Sequence, residues 1–153
     1  MEKYDDASWH FDGDYPNELP RENAATHIGF YFTWIVDNNM ASDEIIESFP
    51  NYIKKIKTRH MTGAQFIIND CDEKITTDHL TNLGNAFTRD YYNEDTDFSL
   101  NQSSYFKDYS KIFCHKPIYK TIYHIEDTFE NYNLIRKIIN KRFLIWQSRL
   151  SRL

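Results

Sequence analysis

The stretch Asp127-Thr128-Phe129-Glu130, continued by Asn131-Tyr132-Asn133-Leu134-Ile135-Arg136-Lys137-Ile138-Ile139-Asn140-Lys141-Arg142-Phe143-Leu144-Ile145-Trp146-Gln147-Ser148-Arg149-Leu150, decides the fold class. Its D-x-x-E opening is a helix start, because short oxygen-bearing side chains satisfy the free N–H groups of a first turn. Phe129, Tyr132, Ile135, Ile139, Phe143, Trp146 and Leu150 then recur at spacings of three and four, which places them on one stripe of a long helix. The opposite face carries Arg136, Lys137, Lys141, Arg142 and Arg149 and is expected to be solvated. The heptad run is too short for a free-standing coiled coil, so the stripe needs the rest of the chain to cover it.

Working back from that helix, the other signals are also helical. A helix is expected after Pro20, running to about Asn38. Ala25, Ile28, Phe30, Tyr31, Phe32, Trp34, Ile35 and Val36 cover more than one of its faces, which marks a central, buried helix. Ser42 caps a short helix through Phe49, and Pro50 opens another with Ile53 and Ile56 inward and Lys54, Lys55 and Lys57 outward. Thr62-Gly63-Ala64-Gln65 has the form of a capping box. Gly84 reads as a helix stop and Asn85 as the cap of a helix to Tyr92. Residues 93–101 read as an acidic loop, and Ser103 or Ser104 caps a helix through Phe113. Residues 117–124 fit strand or coil equally. The expectation is an all-α, compact irregular bundle in one domain, residues 1–153, with an ordered but irregular N-terminal arm.

Composition agrees. Four glycines and four prolines give little turn chemistry for a many-stranded sheet. No run approaches the eighteen apolar residues of a membrane span, and the first residues lack the basic and apolar parts of a secretory signal. Cys71 and Cys114 form no CxxC and read as two reduced thiols, so a cytoplasmic protein is expected. The net charge of −5 hides an asymmetry: residues 1–100 carry 19 acids and 8 bases, residues 101–153 carry 4 acids and 10 bases. Such a split serves either intramolecular complementarity or a partner surface.

Chemistry-bearing residues crowd into the opening. Seven carboxylates fall within the first 22 residues, against only Lys3 and Arg21, interleaved with Tyr4, Trp9, His10 and Tyr15. A loop of this composition is costly surface unless it packs on something or binds something. Asn69 to Thr76 invites comparison with a calcium loop, but Ile68, Glu73 and His79 would occupy its decisive positions, and an ordinary helix–loop–helix turn explains the segment. His10, His27, His60, His79, His115 and His124 form no local metal motif. A site would need His10 and His27 to meet Asp6 or Asp12. A hydrogen-bonded histidine pair tying the arm to the bundle is preferred, with no metal and no cofactor expected. No nucleophile elbow, phosphate loop or helix-turn-helix appears, so no catalytic residue is assigned and direct nucleic-acid binding is not expected.

Tyr4-Asp5-Asp6-Ala7-Ser8-Trp9-His10, Asp14-Tyr15-Pro16, Leu19-Pro20, Ala25-Thr26-His27-Ile28-Gly29 and Trp34 resemble a family of small bacterial proteins that open on a YDDASWH-type motif. The resemblance continues through Thr62-Gly63, Cys71-Asp72, Gly84-Asn85-Ala86-Phe87, Asp90-Tyr91-Tyr92, Asp127-Thr128 and Asn131-Tyr132. Glu73 stands where the family usually carries glycine. The family brings no assigned activity and no catalytic residues.

These features favour a binding protein. By analogy of size, charge and missing catalytic motifs, the expectation is an immunity protein that occludes the active site of a cognate toxin domain, such as a basic nuclease. Asp5, Asp6, Trp9, His10, Asp12, Asp14 and Tyr15 of the arm, or Glu94, Asp95 and Asp97 of the acidic loop, would form the contact. If the arm instead packs with Tyr4 and Trp9 buried, the loop is the better interface. The alternatives are an enzyme using the N-terminal His/Asp cluster and a regulatory protein-interaction module.

Overall fold

The computed structural model describes residues 1–115 and 119–152. Its centre is α1 (Thr26–Asp37), in which every residue from Thr26 to Val36 is buried, as a helix apolar on all sides requires. A 3-10 turn, Arg21–Ala25, leads into it after Pro20. On α1 pack α3 (Pro50–Lys57), α4 (Gly63–Asp70) and α8 (Phe129–Leu150), with aromatic contacts from α5 (Asn82–Tyr92) and α7 (Tyr105–Phe113), while α2 (Asp43–Ser48) packs on α3 and α6 (Asp97–Asn101) on α5. The fold is all-α, with one small exception described below.

Local chemistry sets the helix starts. Ser42, Thr81, Thr96, Ser104 and Thr128 each accept a backbone N–H with the side-chain oxygen at the start of α2, α5, α6, α7 and α8. Thr62 and Gln65 complete the expected capping box of α4. The closest crossing is α1 on α4. Gly29 and Gly63 let the two backbones meet: a Cβ on Gly29 would stand 2.1 Å from the Ala64 nitrogen, and one on Gly63 would stand 2.2 Å from the Gly29 carbonyl oxygen.

The α8 stripe is buried through Tyr132, Ile135, Ile139 and Trp146, with Phe129 and Phe143 half-buried. Leu150 departs from it, 49% exposed at the border of a cavity that it shares with Phe98 and Trp146. The basic face is not wholly solvated. Arg142 makes two bonds, of 2.8 and 2.9 Å, to the buried carboxylate of Asp108 on α7. Arg136, Lys137, Lys141 and Arg149 do face outward.

Other corrections concern turns. Gly84 lies inside α5 and does not stop a helix; Thr81 caps that helix, and the bare Cα of Gly84 packs beside the Met40 carbonyl. The acidic loop contains α6. Residues 71–76 are not a simple interhelical turn. Asp72 and Glu73 take left-handed φ of 50° and 58° and turn the chain into a strand, β2 (Lys74–Thr76). A left-handed φ is the conformation that glycine adopts without strain, so Glu73 holds a position suited to glycine. The N-terminal arm supplies the partner: β1 (Lys3–Asp6) pairs antiparallel with β2. Of residues 117–124, Pro117 and Ile118 lie outside the described residues, and Ile122–His124 is a 3-10 turn, neither strand nor coil. Among the described residues no helix is long and apolar enough to cross a membrane.

Candidate functional site

The site is built by the first ten residues. The β1–β2 ladder slips between Lys3 and Asp5. A bulge of this kind breaks strict alternation and re-aims side chains, and here Tyr4, Asp5 and Asp6 are all buried. Asp6 then caps a 3-10 turn, Ala7–Phe11, accepting from the Ser8 N–H at 2.9 Å and the Ser8 hydroxyl at 2.6 Å. Lys3 neutralises Asp6 at 2.8 Å. That turn folds His10 back over Asp5. His27 reaches the same carboxylate from the first turn of α1.

Asp5 is the hub. Its Oδ1 accepts the Asp6 N–H at 2.8 Å and faces His10 Nε2 at 3.0 Å. Its Oδ2 faces His27 Nε2 at 2.9 Å and accepts the Tyr92 hydroxyl at 2.5 Å. The two imidazoles meet edge to face, with ring centres 4.6 Å apart. The Tyr123 hydroxyl lies 2.9 Å from His10 Nδ1. Burial alone would raise the Asp5 carboxyl, but His27 and His10 outweigh it and hold the group well below the usual carboxylate range. Burial lowers His27 below its ordinary value, against the pull of Asp5. Burial, with Asp5 next, pushes the Tyr92 hydroxyl well above its ordinary value.

The histidine pair therefore ties the arm to the bundle, and Asp5, not Asp6 or Asp12, is the carboxylate between them. Among the described residues, Asp5, His10 and His27 form the one group of donors close enough to share a metal ion, with one donor atom from each lying within 4.8 Å of the others.

Above this hub lies an open groove of about 310 Å³ lined by Tyr4, Asp5, Trp9, His10, Tyr92, Asn93, Glu94, Asp95 and Phe106. The arm and the acidic loop are thus two walls of one surface. Trp9 is 53% exposed on it while Tyr4 is buried, so these two aromatics take opposite roles. Glu94 and Asp95 are exposed in the same groove. Asp5 and Asp6, each 3% exposed, turn inward and hold the arm, correcting the picture of an acidic arm open along its length. Asp12, Asp14 and Asp97 are exposed but do not line the groove, and Tyr15 is half-buried with its hydroxyl on the Pro20 carbonyl. Sequence spacing missed Tyr92 and Tyr123. The Asp90-Tyr91-Tyr92 run was visible, but only the fold shows that Tyr92 turns toward Asp5.

A second cavity, about 460 Å³, is bordered by Glu22, Gln65, Asn69 and Asp127. Asp127 Oδ2 accepts the Thr62 hydroxyl at 2.5 Å, while Oδ1 is buried without a partner. Burial raises this carboxyl above its ordinary 3.8, with the Thr62 bond opposing. A raised acid favours the folded state below its unfolded pKa and loses that contribution as pH rises through the folded value. Asp127→Asn is therefore expected to be more stable than the parent at pH 7. The advantage should shrink as pH falls through the raised value and vanish below 3.8. Urea melts across pH test this, and a constant difference would disprove it. Both cysteines are free, and burial pushes the Cys71 thiol up to about 12, as suits an inert thiol.

Comparison with curated proteins and with solved structures gives no match. A family model does match, over residues 3–125, and it carries the description "domain of unknown function". The match takes in the strand, the turn, α1 and α5, and so every residue of the Asp5 hub. The chain belongs to that family, the domain of unknown function DUF7832.

Proposed function

We propose that the protein is a binding module whose acidic, tryptophan-bearing groove docks a basic partner protein, and that the partner is a toxin domain whose active site it occludes. The observation that carries this is the exposed Trp9 in one groove with Glu94 and Asp95. Among the described residues, neither of those carboxylates pairs with a lysine or arginine. The ion pairs that do form lie mainly within each half of the chain, such as Arg59–Asp37 and Arg142–Asp108. Internal complementarity thus leaves the acidic surface of the first hundred residues largely unspent. A large aromatic beside free charge suits a contact in which tryptophan supplies buried area and carboxylates steer encounter.

The test is co-expression with the C-terminal domain encoded by the neighbouring gene. Growth should be rescued and the two proteins should co-purify. Trp9→Ala is expected to weaken the complex by about 2 kcal/mol or more, as interface tryptophans do. Joint Glu94→Gln and Asp95→Asn should slow association and flatten its salt dependence. Rates and affinity unchanged in both variants would remove this groove from the contact.

A further inference from the structure

We propose that Asp5, His10 and His27 form a binding site for a divalent transition-metal cation of the zinc type. The site goes beyond the partner-binding reading and does not depend on it.

The first support is charge. Three carboxylates of the described chain are 3% exposed: Asp5, Asp6 and Asp108. Asp6 has Lys3 and Asp108 has Arg142. Asp5 is met by two imidazoles, a tyrosine hydroxyl and a backbone N–H, and by no lysine or arginine. An ionised carboxylate taken out of water needs a counter-charge. A divalent cation held between Asp5 and the imidazoles supplies it.

The second support is geometry. His10 Nε2 and His27 Nε2 already stand 3.0 and 2.9 Å from the two carboxylate oxygens. Zinc bonds of about 2.0–2.2 Å in a tetrahedron place donor atoms roughly 3.3 Å apart. Small ring rotations therefore convert the hydrogen-bonded cluster into a ligand set. Each imidazole then carries its proton on Nδ1. At His10 that N–H faces the Tyr123 hydroxyl, 2.9 Å away, whose oxygen can accept it. The Tyr92 hydroxyl and the Asp6 N–H remain on the Asp5 carboxylate and orient it, as outer-shell bonds do at metal sites.

The third support is donor type and access. Two imidazoles with one carboxylate select zinc, nickel, cobalt or iron(II) over calcium and magnesium, which take oxygen sets. His10 borders the groove with 14% of its side chain exposed, which gives the ion a way in and leaves a position open to solvent.

The experiment uses the full chain, stripped with chelator and titrated with zinc chloride by calorimetry, with cobalt(II) as a spectroscopic probe. One ion per chain is expected, with a rise in melting temperature and a tetrahedral cobalt spectrum. His10→Ala should weaken binding by about 100-fold or more, and Tyr123→Phe by about 10-fold. His124→Ala, at a half-buried histidine paired with Glu18 and outside the cluster, should leave it unchanged. Circular dichroism checks each fold; should Asp5→Asn fail to fold, His10→Ala still decides. Less than one ion per chain overturns the proposal. So does stoichiometric binding that survives His10→Ala, or that falls equally in His124→Ala. No partner is needed for any of these readings, so their failure leaves the docking groove standing, and the reverse.

Discussion

Gly29→Ala is expected to leave the chain without a stable fold. The added methyl would stand 2.1 Å from the Ala64 nitrogen and 2.4 Å from its Cα. Both are backbone atoms at the start of α4, held by the Thr62–Gln65 capping box. A flexible side chain could swing aside, but this backbone can only retreat with its helix. α1 cannot retreat either, because it is buried along almost its whole length. Ordinary overpacking costs about 1–3 kcal/mol, and a clash between two fixed backbones belongs above that range. Total stability for a domain of this size is about 5–15 kcal/mol, so one such change consumes much of it. Gly13→Ala is the matched control, since nothing lies within 4 Å of its added methyl. Denaturant melts should separate the two widely. A parental midpoint for Gly29→Ala would mean that α1 and α4 do not cross as described.

Arg142→Ala is expected to cost about 3–5 kcal/mol, the usual penalty for stranding one charge of a buried pair. The Arg142 side chain is 18% exposed, so solvent screens it only in part, and its partner is 4% exposed. Asp108 also accepts the Tyr91 hydroxyl at 2.9 Å, so removing the guanidinium leaves a buried carboxylate with one neutral donor. The loss should rival that from emptying the Trp146 site on the same helix. Asp108→Asn in the Arg142→Ala background should recover part of it, because the stranded charge is then gone. A double-mutant cycle in urea measures the coupling. A change below about 0.5 kcal/mol for Arg142→Ala would instead indicate an ordinary solvated surface residue.

The fold was largely legible because helices announce themselves locally. The caps at Ser42, Thr62 and Ser104 and the apolar spacing of α8 need only a few neighbouring residues to be read, although the D-x-x-E opening of α8 points to Asp127 where Thr128 is the cap. The sheet was not legible. Lys74-Ile75-Thr76 is too short to show a period, and its pairing with Lys3–Asp6 is a long-range event. Gly84 misled for a related reason: a bare Cα suits a helix end, but here it makes room for Met40. The site was half legible. His10 and His27 were recognised as able to meet, but Asp6 or Asp12 was expected between them; that Asp5 takes the place depends on the bulge in β1, which leaves no local mark. Arg142 looked like any other base on α8, because its acid lies on another helix.

The pairing of the two strands also decides whether the site exists at all. Glu2 donates to Thr77 across 75 positions, and the ladder behind it joins the start of the chain to its middle. Closing so long a loop costs only slightly more entropy than closing a short one, but such contacts form slowly compared with helices. Strand β1 then works as a clasp, and Asp5 is its catch. The cluster at His10 and His27 comes into being only when that clasp shuts.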